Sequence, residues 1–204
     1  MKKLKISLIG VLFIAVSAYA ASTITWQVDT AHSKIQFIAP HMKISEVSGA
    51  FKKYSATIQT EGQNWNTADI NVTIDVNSIN TDNERRDGHL KSEEFFHAKK
   101  YPKITFESTD IEKVEEMDNG KTKYQLTGNL TMRGTTKKEE FTAIHNGTVK
   151  SPFNKKPKAG WKIKGTVDRY EYGLKWDKTT EAGNLVVGKQ IDIVCDIELA
   201  PKNM

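Results

Sequence analysis

"KYQLTGNLTM", Lys123 to Met132, places Tyr124, Leu126, Leu130 and Met132 on one parity and Gln125, Thr127, Asn129 and Thr131 on the other. Alternation at period two is the mark of a β-strand with one apolar and one wet face. The same pattern recurs in "SKIQFIA" (Ile35, Phe37), "ADINVTIDV" (Ile70, Val72, Ile74, Val76), "WKIKGTVDR" (Trp161, Ile163, Val167) and "QIDIVCDIEL" (Ile191 to Leu199). With "GAFKKYSATIQT", "KITFESTDIEKV" and "TKKEEFTAIHNGTV" the chain carries eight or nine strands, joined by "TEGQNWNT", "EMDNGK", "RGTT" and "NKKPKAG".

Strands wet on one side only suit a sandwich or a closed barrel. Two features favour the barrel. Lys121 to Met132 would make a strand roughly 40 Å long at about 3.3 Å per residue. The inward rows also carry small members, Ala39, Gly128, Gly147 and Gly165, which would underfill a sandwich core and leave a narrow lumen. The glycines are equally compatible with simple bends.

One stretch breaks the alternation: "RRDGHLKSEEFF", Arg85 to Phe96. Thr81 and Glu84 have the spacing of a capping box, and Ser92 is placed to cap a second helical piece ending before Pro102. The spacing predicts a short helical segment over about 82–98, lying across one barrel end, with Leu90, Phe95 and Phe96 turned towards the opening. Asp87 has a plausible partner in Arg169, which shares inward parity with Val167 and would otherwise be an unpaired buried charge.

The N-terminus reads as an export signal. Lys2, Lys3 and Lys5 precede an apolar run that ends in Ala18-Tyr19-Ala20, so cleavage after Ala20 is expected and residues 21–204 form one domain, periplasmic or secreted. Cleavage lowers the formal charge from +5 to +2. Much of the remaining excess lies between Lys150 and Lys164, a region that solubilises a hairpin end or makes transient contact with an anionic membrane surface. Nucleic-acid binding lacks a recognition motif. Cys195 is the single cysteine, so no internal disulfide forms, and its parity points it inward.

No catalytic constellation emerges. His32 and Ser33 are strand neighbours facing opposite ways, there is no Gly-x-Ser-x-Gly elbow, and the five histidines show no ligand spacing. A metal site across the mouth from His32, His41 and His89 is the one arrangement left open. No catalytic, cofactor or metal-binding residue is therefore assigned. Arg86 and His89 have two readings: they hold the plug, or they meet a lipid head group, where a forked guanidinium suits phosphate oxygens.

"RRDGHLKSEEFFHAKKYPKITFES" resembles the central signature of the YceI-like family of exported, lipocalin-like bacterial proteins. "DTAHSKIQFIAPHMKISEVSGAF", "LTGNLTMRGTTK", "VDRYEYGL" and "VGKQIDIVCDIEL" extend the resemblance from Trp26 to Leu199. Glu171 and the basic "SPFNKKPKAG" loop depart from it. The resemblance implies an extended eight-stranded antiparallel barrel, often dimeric, that holds a polyisoprenoid, an isoprenoid quinone or a fatty-acid derivative. On that footing the lumen contacts are Phe37, Phe95, Phe96, Phe106, Leu126, Leu130, Ile163, Val167 and Ile193, and the head-group or lid set is His32, Arg86, Asp87, His89 and Arg169. The expected function is non-enzymatic lipid transport, storage or sequestration. The alternatives are a lipocalin-like enzyme acting on a small hydrophobic substrate and a stress-related interaction protein with a filled barrel.

Overall fold

In the computed structural model, which describes residues 22–202, the alternating rows become the wall of a closed antiparallel barrel. The strands are β1 (Thr23–Val28), β2 (Lys34–His41), β3 (Ser45–Phe51), β4 (Tyr54–Glu61), β5 (Asn64–Asp75) and the short β6 (Ile79–Asn80). After helix α1 (Glu84–Lys91) come β7 (Lys103–Glu116), β8 (Thr122–Met132), β9 (Thr135–Lys150), β10 (Pro157–Asp168) and β11 (Gln190–Pro201). The closed ring runs β1-β4-β5-β7-β8-β9-β10-β11 and returns to β1 through Val28↔Leu199 and Trp26↔Pro201. The expected export segment, residues 1–20, lies outside the described residues.

Eight barrel strands arise from eleven segments because two strands are broken in the middle, β1/β2 and β3/β4, and the two-residue β6 only extends the sheet beside β3. β1 and β2 both run antiparallel to β11, one beside Leu199 and the other beside Cys195 and Ile193. β4 and β3 follow them in the same order on the other side. The break at Asp29–Ser33 is pinned rather than loose. The Asp29 N–H donates to the Glu198 carbonyl at 2.8 Å, and the Glu198 N–H donates to Ser33 Oγ at 2.9 Å. Lys158 Nζ sits between Asp29 and Glu198 at 2.7 and 2.9 Å. That ammonium holds the Asp29 carboxyl at about 2, well below its usual value.

The helical segment is shorter than its sequence suggests. Asn83, not Thr81, is the N-cap, accepting from the Arg86 N–H at 3.0 Å. Ser92 closes α1 instead of starting a second helix, and residues 93–100 form consecutive turns. The reason is local. His97 takes φ +50°, a left-handed conformation that interrupts any helix through "SEEFFHAKK".

Chain direction gives the barrel two distinct ends. The helix end gathers α1, the β2–β3 and β8–β9 hairpins and the long connection before β11; the lysine-loop end gathers the β4–β5, β7–β8 and β9–β10 hairpins. One continuous core joins them, from Trp26, Trp65 and Trp161 to Phe95, Val167 and Leu174.

Candidate functional site

Inside the barrel lies a cavity of about 170 Å3. Its wall is built from inward residues of all eight strands of the closed ring and of β2, with Ile58, Val72, Leu126, Ala143, Ile163 and Ile197 typical of it. The only polar atoms carried by lining side chains are the Tyr54 hydroxyl, the Cys195 thiol and two indole nitrogens. The Tyr54 hydroxyl donates to the Ser33 carbonyl at 2.7 Å, and burial pushes the Cys195 thiol up to about 12. A thiol so protonated is a poor nucleophile. Trp161 differs: its ring lines the cavity, yet its buried Nε1–H has no acceptor among the described residues. A buried donor left unpaired costs about 1–3 kcal/mol.

Aromatic layers bound the cavity lengthwise. Towards the lysine-loop end, Trp65 stacks between Trp26 (5.1 Å) and Trp161 (5.0 Å), and Trp161 meets Tyr124 at 5.4 Å and His145 at 4.7 Å. Towards the helix end, Phe106 and Phe141 meet edge-on at 5.6 Å. Two glycines make that pair possible. A Cβ on Gly128 would fall 2.4 Å from the Phe106 ring, and one on Gly165 would fall 2.5 Å from Phe141. These inward glycines therefore do not leave the lumen empty, because phenylalanine rings occupy the space they vacate.

Of the residues expected in the lumen, Phe106, Leu126, Leu130, Ile163 and Ile193 are on the cavity wall. Phe37, Phe95, Phe96 and Val167 are not. They belong to the packed core of the helix end, where Phe37, Phe51 and Phe96 form a chain of ring contacts at 5.8 and 6.0 Å. The sequence reading missed Trp65 by assigning "TEGQNWNT" to a turn. The turn is confined to Gly62 and Gln63, and Trp65 is already in β5 and buried. Its parity disguises it: Trp65 and Ala68 are both buried three residues apart, so the strand's alternation slips between them.

The head-group or lid residues do not form one site. Asp87 does not pair with Arg169. It is buried on its own helix, accepting from the Thr81 N–H at 2.9 Å and the Thr81 hydroxyl at 2.6 Å. Arg86 grips the same threonine through Oγ1 (2.8 Å) and the carbonyl (2.7 Å). Arg169 is buried and donates only to backbone carbonyls, those of Gly188, Leu174, Trp176 and Val187, which lock the long connection over the barrel end. His89 contacts Glu94 and packs edge-on against Phe95 and Trp176. His32 lies at the β1–β2 break, 3.2 Å from Asp29. The three-histidine metal arrangement is not assembled. Among the described residues, the one cluster of metal-ligand type is Asp29, His32 and Glu198, and Lys158 already bridges its two carboxylates.

Comparison with known proteins agrees with this architecture. A UPF0312 protein of Staphylococcus aureus (strain N315) is 32% identical over 172 residues, covering 84% of this chain and 95% of that protein. The crystal structure of a Campylobacter jejuni YceI protein aligns with TM-score 0.68 and 32% identity, over 80% of this chain and 90% of that one. A domain from Saccharophagus degradans, described as polyisoprenoid-binding, shares the fold at TM-score 0.64 and 15% identity, covering 87% and 99% of the two chains. The model of the YceI-like domain matches residues 26–199, and the chain belongs to that family.

Proposed function

We propose that this protein binds a long-chain amphipathic lipid, of polyisoprenoid, isoprenoid-quinone or fatty-acid type, and carries or sequesters it without chemical change. The observation that carries the reading is the lumen itself: a cavity inside the barrel lined almost wholly by apolar side chains, with the Trp65–Trp161 and Phe106–Phe141 ring pairs in its wall. Burying about 400 Å2 of tail at ~25 cal/mol per Å2 contributes about 10 kcal/mol before association costs, ample without a catalytic group. The lining set offers no carboxylate or imidazole to act as a base, and its one thiol is held protonated. The Trp161 N–H favours a ligand bearing a carbonyl, ester or ether oxygen near that end. The description of the Saccharophagus degradans domain as polyisoprenoid-binding supports the same ligand class.

The β9–β10 loop suits collection from a membrane surface. Phe153 is 95% exposed and Val149 68% exposed, beside exposed Lys150, Lys155 and Lys156. The tip is ordered by its own bonds, including Lys155 N–H to the Ser151 carbonyl at 2.9 Å. Lys158 and Lys162 of the same basic run are paired with Asp29, Glu198 and Asp196, so the membrane contact falls to the tip lysines and Phe153. In this reading residues 1–20 direct the chain out of the cytoplasm, and sequencing the N-terminus of the mature protein should start at Ala21.

Native mass spectrometry of protein purified without detergent, followed by solvent extraction, tests the proposal. A co-purified lipid, or stoichiometric uptake of an added isoprenoid or fatty acid, is expected. Protein that carries none and takes up none would refute it.

A further inference from the structure

Ring pairs narrow the lumen towards both ends, Trp65 with Trp161 and Phe106 with Phe141, which favours entry through the side wall. Two seams of the wall are not laddered along their length. β9 and β10 part after Thr142↔Lys164, but there the Tyr172 hydroxyl donates to Glu139 at 2.6 Å and Lys137 pairs with Glu171 at 2.8 Å, so residues 169–172 are fastened against β9. The other is the β5–β7 seam. β5 and β7 pair from Asp75↔Lys103 to Asn71↔Glu107, and there the pairing stops, although β5 continues to Asn64 and β7 to Glu116. The flanking seams run on: β7 pairs β8 as far as Glu116↔Thr122, and β4 pairs β5 as far as Glu61↔Asn64. Beyond Asn71 the two strands are joined by side chains instead. Ile70 N–H donates to Ser108 Oγ at 2.8 Å and Lys113 N–H donates to Asn66 Oδ1 at 3.2 Å. Bulges between Ser108 and Asp110 and between Lys113 and Glu115 bend β7 at this stretch. A cleft of about 280 Å3 fills the gap, lined by Asn66–Asp69 and Ser108–Ile111. Ala68 and Ile111 line both this cleft and the lumen, so one layer of side chains separates them.

We infer that the β5–β7 seam is the mouth of the lumen: the lipid tail passes between these strands, and its polar head stays in the cleft. This rests on the lipid reading of the lumen. Parting the open stretch of this seam breaks two side-chain bridges, whereas parting a laddered stretch would strip backbone hydrogen bonds. The cleft is lined by hydroxyls, an amide and the carboxylates of Asp69 and Asp110, with no cation among its lining residues. It therefore selects an uncharged, hydrogen-bonding head group and repels a phosphate.

The test is a removable bridge across the seam, Asp69→Cys with Asp110→Cys, in residues 21–204, which contain every strand of the closed barrel. A short bis-methanethiosulfonate, which leaves a reducible disulfide at each end, spans the pair where the two thiols do not meet. Cys195 is buried and stays out of the exchange. Uptake is followed by energy transfer from Trp65 and Trp161 to a long-chain tetraene alcohol. Bridging should slow uptake at least 10-fold, reduction of the disulfide should restore it, and the same bridge at the laddered pair Glu107→Cys with Asn129→Cys should leave the rate unchanged. Equal rates with and without the β5–β7 bridge would overturn the mouth. Absence of uptake in every form, wild type included, would instead overturn the lumen reading. The phosphate ester of the same alcohol should bind at least 10-fold more weakly, with Asp69→Asn/Asp110→Asn narrowing the gap; equal binding of alcohol and phosphate by the wild type would overturn the head-group assignment.

Discussion

Both ends of this barrel hold buried polar atoms without a partner among the described residues, on Ser92, Arg133 and Tyr170 at the helix end and on Trp161 towards the other, but they tie down their charged motifs and their strands differently. At the helix end every charge that drew the eye in the sequence is tied down: Asp87 and Arg86 to Thr81, and Arg169 to four carbonyls. Towards the lysine-loop end a buried indole N–H has no acceptor, two strands run side by side without a ladder, and a phenylalanine stands in water. The contrast teaches that a dense polar motif can be architecture, while the proposed lipid mouth falls in ordinary-looking strands whose ladder is incomplete.

Substitutions at the two ends should therefore separate stability from binding. The largest effect is expected at Arg169. Arg169→Met leaves one buried and three half-buried carbonyls without their donor and should cost about 3–5 kcal/mol, read as a fall in the urea midpoint, with little effect on affinity in protein that remains folded. A lumen plug should do the reverse. Ala143→Phe, on the cavity wall, should weaken lipid binding at least 100-fold, about 2.7 kcal/mol by titration, while keeping the barrel's circular dichroism. Asp87→Ala strips both acceptor contacts from Thr81 and should lower stability by about 2 kcal/mol; Arg86→Ala and His89→Ala should leave lipid affinity unchanged, and a loss there would return the head group to the helix end. Trp161→Phe keeps a six-membered aromatic ring and removes the N–H with the rest of the pyrrole ring. It should weaken a carbonyl-bearing ligand about 10-fold while costing about 1 kcal/mol of stability from the lost packing, and equal affinity would show that the indole makes no bond to the ligand.

The smallest effect concerns the pinned break at β1–β2. The Asp29 pKa is depressed in the folded state by Lys158, so its contribution is complete above the unfolded carboxylate range and is lost as pH falls from about 4 to about 2. After solvent screening it amounts to about 1 kcal/mol, so Lys158→Met should shrink the acid-induced loss of stability measured between pH 4 and pH 2.

Much of the fold was legible in the chain. Leu126, Leu130, Ile163 and Ile193 alternate cleanly because each borders a wall with water on one side and hydrocarbon on the other. The site was only half legible. Parity identifies an inward side chain but not its depth, so Val167 and Phe37 looked the same as Ile163 and Ile193, although they pack in the helix-end core. Trp65 was hidden by a slip in alternation beside a glycine turn.

What the sequence determined by itself was most of the strand rows, their one apolar and one wet face, the inward Cys195 and a short helix before "YPKITF", because these follow from period, caps and turn chemistry within a few residues. Tertiary structure alone decided that Asp87 and Arg169 never meet, that Phe106 and Phe141 fill the space above Gly128 and Gly165, and that β5 leaves β7 after Asn71. Those outcomes depend on how strands distant in sequence are staggered around the closed ring, and no local pattern encodes that stagger.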